Sequence, residues 1–156
     1  MARFTVKYDE TFTVRAPAER TRAYFGNLDR IAENLEEVER VEKIDAETMH
    51  VVMAPLRRGP VTFRGEYRSR YFFPAPDRLE WEPKGSGNVW MHGHARFTPR
   101  GVKETSVEFR QSIEAEIEIN WLLSAVATPI VNFEMQRRIR RYLELARRAL
   151  ESGERT

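Results

Sequence analysis

The sequence predicts an α+β fold: a curved antiparallel sheet of seven strands, two short helices after the first strand, and a long C-terminal helix that the sheet wraps. Three observations carry this. Several runs alternate apolar and polar residues with period two, the pattern of half-buried strands. From Asn120 onward the apolar period becomes helical. Short turns join consecutive strands, which makes them antiparallel, and only the last helix is large enough to cover their shared apolar face.

Residues 3–15, RFTVKYDETFTVR, put Phe4, Val6, Tyr8, Phe12 and Val14 on one face of a first strand, with Glu10 among them. Ala16-Pro17-Ala18-Glu19 opens a helix with proline in its first turn, and Ala23, Tyr24, Phe25 and Leu28 supply its apolar side. Gly26-Asn27 ends it. Asp29 is the candidate cap of a second short helix carrying Ile31, Ala32 and Leu35. A glutamate-rich stretch, EEVERVEKID, passes into a strand near 38–44, and TMHVVMAPL (48–56) is the next strand. RRGP then turns the chain into VTFRGEYRSRYFF (61–73). Here Val61, Phe63, Gly65, Tyr67, Ser69, Tyr71 and Phe73 share a face, and an arginine-rich solvent face opposes them until Phe72 breaks the pattern.

PAPD (74–77) is a turn, RLEWEP (78–83) a short strand with Leu79 and Trp81 on one face, and KGSGN a hairpin loop. NVWMHGHARF (88–97) is a strand, turned by TPRGVKE. TSVEFRQSIEAEIEI (105–119) directs Val107, Phe109, Gln111, Ile113, Ala115, Ile117 and Ile119 inward. Thr128-Pro129 are placed as N-cap and first-turn proline of a helix reaching about Glu151. Its stripe is Met135, Ile139, Tyr142, Leu143, Ala146 and Leu150, with Ile130 and Phe133 at its start. NWLLSAVA is either a preceding helical turn or the same helix kinked at Pro129, and SGERT is a frayed tail.

The 156 residues suggest one domain spanning 1–156. With 41% hydrophobic and 32% charged residues the composition is that of a soluble globular chain. The net charge of +2 does not call for nucleic acid, and the pI of about 9.1 reflects arginine-dominated positive charge. The chain has no cysteine, so disulfides, thiolate metal sites and cysteine nucleophiles are excluded. MARFTVKYDE has no apolar leader pattern, and no run approaches a membrane span, so a cytoplasmic chain without integral membrane association is expected.

FTVRAPAERTRAYFGNLDRIAENL resembles the opening of the START-like (SRPBCC) superfamily, in which a strand ends in alanine-proline and a short helix pair follows. PIVNFEMQRRIRRYLELARRALE resembles its closing helix, and the order between them is also similar, so the resemblance covers nearly the whole chain. It implies the helix-grip fold, in which sheet and helix enclose a deep cavity for an apolar ligand. It is similar above all to single-domain lipid-transport-like and polyketide cyclase-like members.

That resemblance gives the alternating faces a role. Tyrosine bodies contact a ligand, hydroxyls orient it or hold water, and Gly65 makes room; alternatively Tyr67 and Tyr71 reach the sheet rim with wet hydroxyls. The expected cavity takes Tyr8, Glu10 and Phe12 from the first strand. Phe63, Tyr67 and Tyr71 come from the 61–73 run, Trp81 from the next, and Met91 and Phe97 from residues 88–97. Phe109, Gln111 and Ile113 come from the last strand and Phe133 from the helix. Glu10 is an inward carboxylate suited to acid–base work, unless a bulge at Asp9-Glu10-Thr11 turns it outward or it lies near the strand's open end.

His92 and His94 share a strand face, but no third ligand matches by spacing and both point outward if Met91 and Phe97 point in, so no metal or other cofactor is expected. Nucleophile-elbow and phosphate-loop motifs are absent. Arg137, Arg138, Arg140, Arg141, Arg147 and Arg148 read as a solvated helix face, interleaved with Glu134, Glu144 and Glu151, rather than a nucleic-acid or membrane surface. The expected function is binding or transport of a small hydrophobic or lipid-like ligand. The alternative is an aromatase/cyclase-type enzyme acting on a polyketide-like substrate, which needs a convergent set of inward polar groups.

Overall fold

The computed structural model describes residues 1–153. It is an α+β helix-grip fold. Strand β1 (Ala2–Val14) is followed by helices α1 (Ala18–Gly26) and α2 (Leu28–Asn34). Strands β2 (Val38–Lys43), β3 (Thr48–Met53), β4 (Leu56–Arg58), β5 (Val61–Phe63) and β6 (Glu66–Ala75) follow. Then come β7 (Arg78–Pro83), β8 (Val89–Gly101), β9 (Glu104–Ile117) and α3 (Ser124–Glu151). Seven strands form one sheet in the order β1-β9-β8-β7-β6-β3-β2, with every neighbouring pair antiparallel.

The chain therefore departs from two of the expected strands. Residues 48–56 and 61–73 each split, and the pieces β4 and β5 pair only with each other. Pro55 explains one break, because it has no N–H to continue a ladder. At the other, the Gly65 carbonyl still receives the Met53 N–H at 2.8 Å, while Arg64 and Gly65 carry the chain out of the main sheet. Gly59 and Pro60 form the tight turn between the two pieces, with Gly59 at φ 55°. The later turns are also shorter than expected, because β6 runs to Ala75 and β8 to Gly101.

Asn27, not Asp29, caps α2: its side chain accepts from the backbone N–H groups of Asp29 and Arg30. Pro129 lies inside α3 rather than opening it, and a 3-10 turn over Trp121–Leu123 leads in. Proline is tolerated there because Ala125, whose carbonyl loses its partner, is exposed to water. At the far end Gly153, at φ 74°, directs its N–H to the Leu150 carbonyl and stops the helix. Of the SGERT tail, residues 154–156 lie outside the described residues.

Val131, Met135, Ile139, Leu143, Ala146 and Leu150 of α3 join one apolar cluster with the inward residues of the strands, Phe4, Val6 and Val107 among them. Thr62, Arg64, Glu66 and Arg68 stay exposed on the opposite face. No described helix is long and apolar enough to cross a membrane.

Candidate functional site

Between the sheet and α3 lies a cavity of about 110 Å³. Its floor is aromatic. The rings of Tyr71 and Trp81 are 5.8 Å apart and those of Trp81 and Phe109 5.3 Å, tilted by 32° and 33°. Cross-strand pairing builds this row: Tyr71 opposes Trp81, and β8 separates Trp81 from Phe109. The indole lies flat across β8 because position 93 is glycine, whose missing Cβ would fall 2.4 Å from Trp81 Cζ2. Trp81 Nε1 donates to Gln111 Oε1 at 2.8 Å, so the inward amide is anchored. Met91 and Ile113 complete the sheet side, and Met135, Ile139 and Tyr142 form the helix side.

Three phenols open onto this space: Tyr67, Tyr71 and Tyr142. Their hydroxyls have no hydrogen-bond partner among the described residues. Burial raises all three pKa values. Arg138 partly opposes the effect at Tyr67, and neighbouring phenols add to it at Tyr71 and Tyr142. They are therefore protonated donors at neutral pH. At the mouth, Glu36 and Glu37 of the α2–β2 loop meet arginines of α3. Arg141 donates to Glu36 at 3.1 Å and Arg137 to Glu37 at 3.0 Å. Glu37 has φ 57°, the one non-glycine residue in the left-handed region among the described residues.

Seven of the expected cavity residues line this space: Tyr67, Tyr71, Trp81, Met91, Phe109, Gln111 and Ile113. Six do not. Phe12 and Phe97 instead pack on Phe25 of α1, at 6.4 and 5.7 Å between ring centroids. Phe63 is buried in the separate hairpin opposite Leu56, a consequence of the strand break. Phe133 is 59% exposed; two residues before Met135 it sits about 200° round the helix, on the outer side. Tyr8 and Glu10 are half-buried beyond Phe109 and pair with each other, the tyrosine hydroxyl donating to the carboxylate at 2.5 Å. Because β1 pairs with β9 in unbroken register, no bulge turns Glu10 away. Gly65 makes no room either: a Cβ there would lie 2.4 Å from Met53 Sδ, so this part of the face is close-packed.

Sequence reasoning missed Tyr142, Met135 and Ile139 as lining residues, although all three lie on the apolar stripe of α3. It misplaced Arg137, Arg138 and Arg141, which line the cavity instead of standing on a solvated face with Arg140, Arg147 and Arg148, and Glu134, which is buried and paired with Arg58 and Arg137. The available signal was spacing: Arg138 is three residues after Met135 and four before Tyr142, within the stripe. His92 and His94 lie on the other face of β8, outside the cavity. Burial, and then the Arg78 charge, hold His94 below the ordinary imidazole value. Among the described residues no cluster of three potential metal ligands forms.

No family model and no curated protein sequence matches the chain. Solved structures do. A START superfamily protein from Mycobacterium smegmatis is 13% identical with a TM-score of 0.63, the match covering 92% of this chain and 98% of that one. The Zhui aromatase/cyclase from Streptomyces sp. R1128 is 14% identical with a TM-score of 0.62, over 96% and 98% of the two chains. Norcoclaurine synthase from Thalictrum flavum is 11% identical with a TM-score of 0.59, over 97% of each. At these identities the likeness establishes the architecture: the fold is START-like.

Proposed function

We propose that the protein binds, and thereby carries or sequesters, a small hydrophobic or lipid-like molecule in the cavity between sheet and α3. The observation that carries this reading is the cavity itself. Its aromatic floor and methionine walls are apolar, and its phenol hydroxyls lack partners among the described residues. Burial of a ligand's apolar surface supplies about 25 cal/mol per Å² before the costs of association. The START superfamily neighbour supports the same reading.

The cyclase alternative draws on the aromatase/cyclase neighbour and on the donors Tyr67, Tyr71 and Tyr142. It is the weaker reading, because the carboxylates that reach the cavity, Glu36 and Glu37, are engaged by arginines at its mouth. The test is native mass spectrometry of freshly purified protein, paired with titration of N-phenyl-1-naphthylamine, a neutral probe that fluoresces in apolar sites. Co-purified apolar mass or saturable one-to-one probe binding supports a carrier. A protein that elutes empty and leaves the probe dark refutes it.

A further inference from the structure

Of the cavity's polar lining, Asn34 and Gln111 already bond within the protein, to Tyr24 and Trp81, and the groups left under-bonded are chiefly donors, which bears on the kind of ligand it takes. Arg138 lines the cavity with a side chain 15% exposed. Its Nε is shut off from solvent and makes no hydrogen bond among the described residues. The carboxylate nearest its Nη2 is that of Glu37, at 3.7 Å, and Glu37 is already bonded to Arg137 at 3.0 Å. A guanidinium offers five N–H donors in a rigid fork, and burying it under-bonded costs more than burying a neutral donor. One helical turn on, Tyr142 adds a phenol, and Tyr67, close enough to feel the Arg138 charge, adds another. These groups all donate, while the acceptors at the mouth are already paired with arginines.

Resting on the ligand-binding reading above, we infer that the natural ligand is an amphipathic acid. Its oxyanion is received by the Arg138 fork and the nearby phenols, and its apolar body lies on the Tyr71–Trp81–Phe109 floor. A neutral hydrocarbon would leave the guanidinium unsatisfied, and an organic cation would meet a like charge. A carboxylate matches the fork in geometry and charge and supplies the missing acceptors. Glu37 is then an internal competitor: its carboxylate stands where it draws on the same guanidinium, held there by a left-handed backbone that few side chains adopt. Binding of the acid exchanges this long contact for a direct one.

The experiment uses the full chain loaded with N-phenyl-1-naphthylamine and displaces the probe with decanoate or with 1-decanol, which share one alkyl chain and differ in the head. The expected result is displacement by both, with decanoate at least tenfold tighter. Arg138→Met should abolish that preference by weakening decanoate at least tenfold more than decanol, and Glu37→Gln should enlarge it. Arg138→Lys, which keeps the charge without the fork, should retain part of it and serves if the methionine variant does not fold. If the wild-type protein fails to bind the probe, the ligand-binding reading falls and this inference with it. If the probe binds but the acid and the alcohol displace it equally, the acid inference alone is overturned. It is likewise overturned if Arg138→Met weakens both competitors alike.

Discussion

Gly93→Ala tests the aromatic floor most directly. The added methyl would lie 2.4 and 2.5 Å from Trp81 Cζ2 and Cε2 and 2.6 Å from the Arg110 carbonyl oxygen. Non-bonded carbons rest about 3.5–4.0 Å apart, so the indole must lift by roughly 1 Å. The Arg110 carbonyl belongs to β9, paired on both sides, and cannot yield cheaply. Overpacking of this kind costs about 1–3 kcal/mol. Lifting the ring also stretches the bond from Trp81 Nε1 to Gln111, worth about 1 kcal/mol. A total of about 2–4 kcal/mol corresponds to a fall in Tm of about 4–16 °C for a chain of this size. Thermal unfolding followed by calorimetry measures the fall. N-phenyl-1-naphthylamine titration reports the second consequence, weaker binding as the indole moves into the cavity. In a Trp81→Leu background the same alanine should cost less, because the indole contact is gone and only the Arg110 carbonyl contact remains. A variant that melts within 1 °C of the wild type and binds the probe unchanged would refute the account of the floor.

Four of the five tyrosines, Tyr8, Tyr67, Tyr71 and Tyr142, have pKa values raised above 10.0, in each case chiefly by burial. The native state then holds more protons than the unfolded chain above that value. Their contribution is present in full below pH 10 and is lost as pH rises further, so urea midpoints should fall above pH 10 and phenolate absorbance should appear together with unfolding. Phenolate absorbance amounting to more than one tyrosine at the ordinary pKa in a fully folded protein would contradict this. Ser69 is wholly buried and its hydroxyl has no partner among the described residues, so Ser69→Ala should raise stability by about 1 kcal/mol, read as a higher urea midpoint. A loss of stability would reveal a bonded hydroxyl. Replacing both His92 and His94 by alanine should leave metal content, measured by elemental analysis, unchanged; stoichiometric zinc lost in the double variant would overturn the outward placement.

What the sequence determined by itself was periodic and local. The alternation over 105–119 specified which side of β9 faces inward, because a strand turns each successive side chain to the opposite face whatever surrounds it. The same logic placed Tyr67, Tyr71, Trp81 and Met91, and so most of the sheet side of the cavity. The stripe from Met135 to Leu150 announced a helix with one buried face. What depended on distant chain was decided only in three dimensions. Where β3 and β6 leave the sheet follows from which strands have partners at Pro55 and Gly65, and this moved Phe63 into a separate hairpin and closed the space at Gly65. How α3 is rotated over the sheet turned Phe133 out to water and Arg138 in toward the cavity, though both stand near the apolar stripe. The mouth pairs Glu36 and Glu37 with arginines about a hundred residues away, a meeting that no local period encodes, because opposite charges far apart in sequence acquire a distance only when the chain has folded.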